Sequence, residues 1–225
     1  MKQYKTSAIV LRRVNYGEAD RIVSFLTSDH GKVGAIAKGV RRPKSKLGGG
    51  LEPFCISTIT FGEGKGDLDI VISTRLETFY KNIMSDYDRL QFGYEALKLV
   101  DRSTEDVAEG TFYQLLQKTF VYLNELTIPL SATELWFRLQ LEDILGRTPD
   151  LNVDVEGHKL EIDATYAYDV YEKGLVKSGF GEVTANHIKL LRLALTHSPA
   201  VLARVEGYAA LSPVAIALAL QLHGQ

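Results

Sequence analysis

Gly31-Lys32-Val33-Gly34-Ala35-Ile36-Ala37-Lys38-Gly39-Val40-Arg41-Arg42-Pro43-Lys44-Ser45-Lys46-Leu47-Gly48-Gly49-Gly50-Leu51-Glu52-Pro53-Phe54 sets how the rest of the chain is read. Six cations (Lys32, Lys38, Arg41, Arg42, Lys44 and Lys46) stand against one acid, Glu52. Arg41, Arg42, Lys44 and Lys46 fall within six residues, in a Gly- and Pro-rich loop between two strand-like runs. Phosphate binding needs several cations that can track a backbone, and arginine adds forked hydrogen bonds and stacking. A flexible cationic loop carried on a rigid sheet therefore suits a polyanion, and nucleic acid is the first ligand class it points to.

On either side of this stretch, residues 7–14, 21–27, 32–38, 51–61 and 68–74 are rich in β-branched and aromatic side chains. Turn-forming segments separate them: residues 15–20, 28–31 and 62–67. Five short strands with such turns predict a small antiparallel barrel. The OB-fold is the candidate of matching size, and its sheet face and loops commonly bind oligonucleotides. Arg12 and Arg13 are neighbours in the first strand and point to opposite faces, so at most one of them joins the loop on a given surface.

From about residue 86 the apolar period turns helical. Tyr87, Leu90, Tyr94, Leu97 and Val100 recur at three- and four-residue steps and predict one buried face. Thr104 is placed to cap a second helix, with Glu105 and Asp106 at its positive end and a stripe of Phe112, Leu116, Phe120, Leu123 and Leu126. Ser131-Ala132-Thr133-Glu134 has capping-box spacing and opens a third helix, stopped by Gly146 and Pro149. Residues 150–173 are acidic and tyrosine-rich, and residues 159–162 alternate like a short strand, which reads as an inserted hairpin or irregular subdomain. Helices return over residues 184–196 and 212–222, with Pro213 at the first position of the last one. The fold class is α+β: a five-stranded OB-fold β-barrel over residues 1–80, then a mostly α-helical domain over 81–225 with a small acidic insertion at about 150–182.

The net charge of −2 conceals a division. Residues 1–50 hold eleven lysines and arginines against three acids, an excess of eight, so the remaining 175 residues carry −10. Such asymmetry is the charge cue for a polyanion-binding face. No apolar run approaches the roughly 18 residues needed to span a bilayer, and the first residues lack a signal-peptide pattern. The single cysteine, Cys55, excludes an internal disulfide or a zinc site built from several cysteines. A cytoplasmic, nucleoid-associated protein with no membrane contact is expected.

Catalytic chemistry finds no support. Gly62-Glu63-Gly64-Lys65-Gly66 lies between two strands, whereas a dinucleotide fingerprint needs a strand-to-helix transition, and no P-loop spacing occurs. Asp150, Asn152, Asp154 and Glu161 half-match a calcium loop, but Val155 stands where the sharp turn demands glycine. The five histidines show no ligand spacing, and Cys55 sits in a strand beside Phe54 and Ile56. No catalytic residue, metal or cofactor is assigned. Tyr4, Tyr16 and Phe25 are the candidate stacking platforms, too few for extensive base readout.

Four motifs in order carry a resemblance: Tyr16-Gly17-Glu18-Ala19-Asp20-Arg21; Thr27-x-x-His30-Gly31-Lys32; Ala37-Lys38-Gly39-Val40-Arg41-Arg42-x-Lys44-Ser45; and Leu51-Glu52-Pro53-Phe54. Together they resemble the N-terminal signature of the RecO family of bacterial recombination mediators. Residues 137–151, ending in Pro149-Asp150-Leu151, resemble that family's junction between helix and insertion. The resemblance implies an N-terminal OB-fold and a helical C-terminal domain. It implies binding of single- and double-stranded DNA, annealing of complementary strands and help in loading recombinase. The implied partners are RecR and the acidic C-terminal tail of single-strand DNA-binding protein. Many members carry a four-cysteine zinc site after the Pro-Asp-Leu motif; this chain has no cysteine there, so no zinc is expected. The DNA-binding set is then Lys32, Lys38, Arg41, Arg42, Lys44, Lys46, Arg12 and Arg13, and Lys118, Arg138 and Arg192 are candidates for the rim of a partner-tail groove. The alternative is an RNA- or ribosome-associated OB-fold module, because phosphate contacts alone carry no sugar or base information.

Overall fold

Alternation such as Val23-Ser24-Phe25 and Ala35-Ile36-Ala37 buries one side of each strand, and five such strands close on themselves. In the computed structural model, which describes residues 2–64, 66–104 and 110–223, these are β1 (Gln3–Tyr16), β2 (Asp20–Thr27), β3 (Lys32–Ala37), β4 (Cys55–Gly62) and β5 (Asp69–Phe79). The order β1-β2-β3-β5-β4, closed by the β1–β4 ladder, is that of an OB-fold barrel. β3 and β5 are parallel, with Ala35 opposite Asp69 and Ile36 opposite Ile70; the other pairs are antiparallel. Closure leaves no free sheet edge to template aggregation. Inside lie Ala8, Val10, Val23, Phe25, Ala35, Ile59, Phe61 and Val71, with Phe25 edge-on to Phe61.

β1 and β5 run beyond the 7–14 and 68–74 predicted, because ladder pairing carries their polar ends. β4 instead starts at Cys55, since Leu51 to Phe54 turns away from the sheet. Phe54 takes φ +57, a left-handed conformation rare for a residue with a side chain, and buries its ring outside the barrel. There it meets two helices, α1 (Tyr87–Ser103) and α2 (Thr111–Asn124), edge-on to Tyr94 at 5.0 Å and Phe120 at 5.5 Å. Asp86 caps α1 by accepting from the Arg89 N–H. The buried face of α1 is Phe92, Gly93, Ala96, Leu97 and Val100, rotated from the expected stripe; Tyr87 and Tyr94 stand 72% and 47% exposed. Gly93 sets that rotation, because a Cβ there would lie 2.7 Å from the Phe54 ring.

Thr104 bonds back to Val100 at the end of α1 instead of opening α2; Glu105 and Asp106 lie outside the described residues. Of the second stripe, Phe112, Leu116, Phe120 and Leu123 are buried, but Leu126 is past the helix and exposed. The barrel strands end at Phe79, near the boundary drawn at 80, while the first compact unit continues to Asn124 because α1 and α2 pack on the barrel.

The second unit, Glu125–Gln225, contains α3 (Leu130–Ile144), α4 (Ala185–Thr196), α5 (Pro199–Leu202) and α6 (Tyr208–His223). Pro129, not Ser131, is the N-cap of α3; the Ser131 hydroxyl accepts from Tyr208 and Glu134 turns to Arg138, so the expected capping box does not form. Gly146 does stop this helix: at φ +67 it lets the Arg147 N–H reach the Glu142 carbonyl at 2.8 Å. α6 starts five residues before Pro213, which lies inside it; burial of Tyr208 and Ser212 outweighs the local proline signal. The 150–182 segment is a hairpin of β6 (Tyr166–Asp169) and β7 (Gly174–Lys177). The expected strand at 159–162 is reduced to one bridge, Val153 to Lys159. Asp150 and Asp154 spend one oxygen each on nearby backbone N–H groups in turns. Among the described residues, no helix is long and apolar enough to cross a membrane.

At the start of α4, His187 Nδ1 accepts from the Thr184 N–H at 3.0 Å, which requires a neutral ring. Burial lowers its pKa below the usual 6.5. The unfolded chain therefore takes up a proton first as pH falls, and stability drops from about pH 6.5 downward. Thermal unfolding followed from pH 7.5 to 5 is expected to show this loss in the wild type and less of it in His187→Gln. An identical pH profile for the two would reject the assignment.

Candidate nucleic-acid interface

The segment from Lys38 to Phe54 is a folded loop, where its composition predicts a flexible one. Asp20, the second acid of the Gly-Glu-Ala-Asp motif, accepts from the Gly39 N–H at 2.7 Å, and the Ala19 carbonyl accepts from the Arg41 N–H at 2.9 Å. Gly39 has φ +63, where a side chain would be strained. Val40 and Leu51 enter the barrel core and Leu47 packs against it. The loop is thereby tied to the β1–β2 turn and to the core through its small and apolar residues, which leaves its cations outward.

Lys38, Arg41, Arg42, Lys44 and Lys46 are exposed, and none forms an ion pair with another described residue. Five such charges on a short loop repel one another, and an approaching polyanion relieves that repulsion. Tyr16, 54% exposed, directly precedes the turn that anchors the loop. Of the other stacking candidates, Phe25 is fully buried. Tyr4 donates to Asp69 at 2.5 Å and stacks on Phe61, and burial together with that carboxylate raises its pKa.

The remaining predicted cations divide. Arg12 is exposed opposite Ser24, while Arg13 lies opposite buried Val23 and turns toward the barrel end. Arg13 donates to the Leu51 carbonyl at 3.1 Å and to Glu52 at 2.8 Å, so its charge is compensated. Lys32 is held by Asp101 at 2.8 Å. These two cations brace the first unit, and the structure does not join them to the exposed loop set. Lys118 is exposed on α2 in the first unit, whereas Arg138 and Arg192 belong to the second. Arg138 is 5% exposed and bonds Glu134 through Nε and Nη2 at 2.9 and 2.8 Å, which removes it from any surface rim. Arg192 is exposed and donates to the Leu151 carbonyl through Nε at 3.2 Å. It borders a concavity with Leu195 and Pro149, where Asp143 and Asp150 also stand.

Burial pushes the Cys55 thiol up to about 11, so it is protonated at neutral pH and unsuited to attack. The His223 ring donates from Nδ1 to the Glu142 carboxylate, 2.6 Å away and 1% exposed, an internal pair joining α3 and α6 that sequence spacing gives no means of finding.

Two of the four sequence motifs meet in the loop anchor. A third forms the β2–β3 turn, where Thr27 bonds Gly31 and His30, and the fourth carries Leu51 and Phe54 into two separate cores. Residues 1–79 match the family described as "Recombination protein O N terminal". A protein named DNA repair protein RecO from Heliobacterium modesticaldum is 32% identical over 216 residues, covering 91% of this chain and 78% of the relative. Proteins of the same name from two strains of Dehalococcoides mccartyi are each 31% identical, covering 84% and 90% of this chain and 77% and 82% of the relatives. On the anchored basic loop, the barrel order and these matches, the chain belongs to the RecO family of DNA repair proteins, with a role in DNA repair and recombination.

Proposed function

We propose that this chain is a non-catalytic recombination mediator. It binds single- and double-stranded DNA through the loop of Lys38, Arg41, Arg42, Lys44 and Lys46, anneals complementary strands and helps load recombinase onto DNA coated with single-strand DNA-binding protein. The observation that carries this reading is the set of five exposed cations without ion-pair partners among the described residues, on a loop whose backbone is tied to a closed barrel. Cations on such a surface neutralise both backbones and release their counterions, which lowers the repulsion that keeps complementary strands apart. Arg12 extends this surface; Lys32 and Arg13 contribute less, since each already faces a carboxylate. RecR and the acidic tail of single-strand DNA-binding protein are the partners. Family membership supports them, while the concavity at Arg192 offers a tail one cation beside two acids.

Annealing of complementary oligonucleotides coated with single-strand DNA-binding protein tests the proposal. The protein is expected to accelerate annealing, and a variant with Arg41, Arg42, Lys44 and Lys46 all changed to alanine is expected to lose most of that acceleration. If coated strands anneal no faster with the protein than without it, while structured RNA binds more tightly than DNA, the chain is an RNA-binding module instead.

A further inference from the structure

Outside the loop, the outer face of β1 leads to a second feature. Arg12, Val14 and Tyr16 alternate along the strand, lie opposite Ser24, Ile22 and Asp20, and are all exposed. A register shift between Val10 and Arg12 places Arg12 opposite Ser24 on the outer face of the strand. At this shift, Val10, Leu11, Arg12, Arg13, Pro53, Tyr94 and Leu97 line a cavity of about 270 Å3 in the first unit. Tyr94 is held by the edge-on contact with buried Phe54, at 5.0 Å and 66°, yet remains 47% exposed. Its ring is pre-positioned, and little further freedom is lost on stacking. Arg12 supplies a cation at the rim without an ion-pair partner among the described residues, whereas Arg13 is fixed by Glu52 and forms wall.

We propose that this cavity seats an unpaired base of single-stranded DNA, with the base against Tyr94, Pro53 and Leu97 and its phosphate on Arg12. The proposal rests on the DNA-binding reading of the loop and adds strand selectivity to it. Four residue steps along β1, about 13 Å, separate Arg12 from Tyr16, and Tyr16 adjoins the turn that bonds Arg41. A single strand gripped by the loop can therefore follow Tyr16, Val14 and Arg12 into the cavity. Bases in a duplex are paired and stacked and cannot enter without being unstacked, so the seat distinguishes the two forms where the loop does not.

The test compares binding of a labelled oligothymidine and of a duplex to the full chain. Tyr94→Leu, which keeps apolar volume but has no aromatic face, is expected to weaken oligothymidine binding about 5- to 150-fold and to leave duplex binding unchanged. Tyr94→Phe is expected to retain single-strand affinity. Arg12→Gln, at an exposed site where folding is not at issue, is expected to lower the single-strand salt slope by about 0.7. Unchanged oligothymidine binding by Tyr94→Leu, or an equal loss of duplex binding by that variant, overturns the seat. If the four-alanine loop variant loses binding while these variants do not, the seat alone is wrong. If the loop variant also binds as the wild type does, the proposed function itself fails.

Discussion

Changing Arg41, Arg42, Lys44 and Lys46 together to alanine is expected to lower the slope of log affinity against log salt on single-stranded DNA by about 3, at about 0.7 for each phosphate no longer neutralised. The size of the effect follows from what the four side chains do in the free protein. They are exposed and without ion pairs among the described residues, Arg41 donating to the neutral Gly17 carbonyl at 3.4 Å, so their charge is available to a phosphate. Folding is expected to be little affected, because exposed substitutions of this kind usually shift stability by less than about 0.5 kcal/mol each. The loop's own fold depends on Gly39, Val40, Leu47 and Leu51, which the variant keeps. Affinity measured by fluorescence anisotropy across a salt series, beside a thermal melt, checks both halves. An unchanged slope would remove this loop as the DNA contact.

Phe54→Ala is expected to destabilise the first unit by about 4 kcal/mol, within the range for deleting a buried aromatic ring. Phe54 is 1% exposed and fills the space between Gly93, Tyr94 and Phe120, so its removal leaves a cavity that backbone on either side cannot close. Alanine gains nothing at φ +57, since it carries the same Cβ penalty as phenylalanine. Glycine there is relieved of that penalty, so Phe54→Gly is expected to be no worse than Phe54→Ala, the reverse of the usual order. Denaturant unfolding of the two variants measures this. A loss below about 1 kcal/mol for Phe54→Ala would mean that the ring does not join the barrel to the helices.

The motifs read in the sequence mark outward-facing cations and structural residues alike, and only geometry separates them. In Ala37-Lys38-Gly39-Val40-Arg41-Arg42, Gly39 and Val40 hold the loop while Lys38, Arg41 and Arg42 face outward. Lys32 and Arg13 look equivalent to these cations in the sequence, because residue type does not reveal that Asp101 and Glu52 fold back onto them. Arg138 misleads for the same reason: an i,i+4 acid is visible in the sequence, but the burial of the pair is not. Helical period alone puts Tyr94 in a core stripe, whereas the ring of Phe54 turns that face by filling the space above Gly93.

Five strands, the cationic loop between the third and fourth, the helical remainder and the family are legible in the residues alone. Alternating apolar residues, clustered charge and turn glycines are local signals that survive without a partner. The barrel's closure, the extension of the first unit to Asn124, the start of α6 ahead of Pro213 and the division of cations into free and paired emerge only in the folded chain. Each of these depends on groups far apart in the sequence, and the competition among burial, charge pairing and local propensity is settled only where those groups meet.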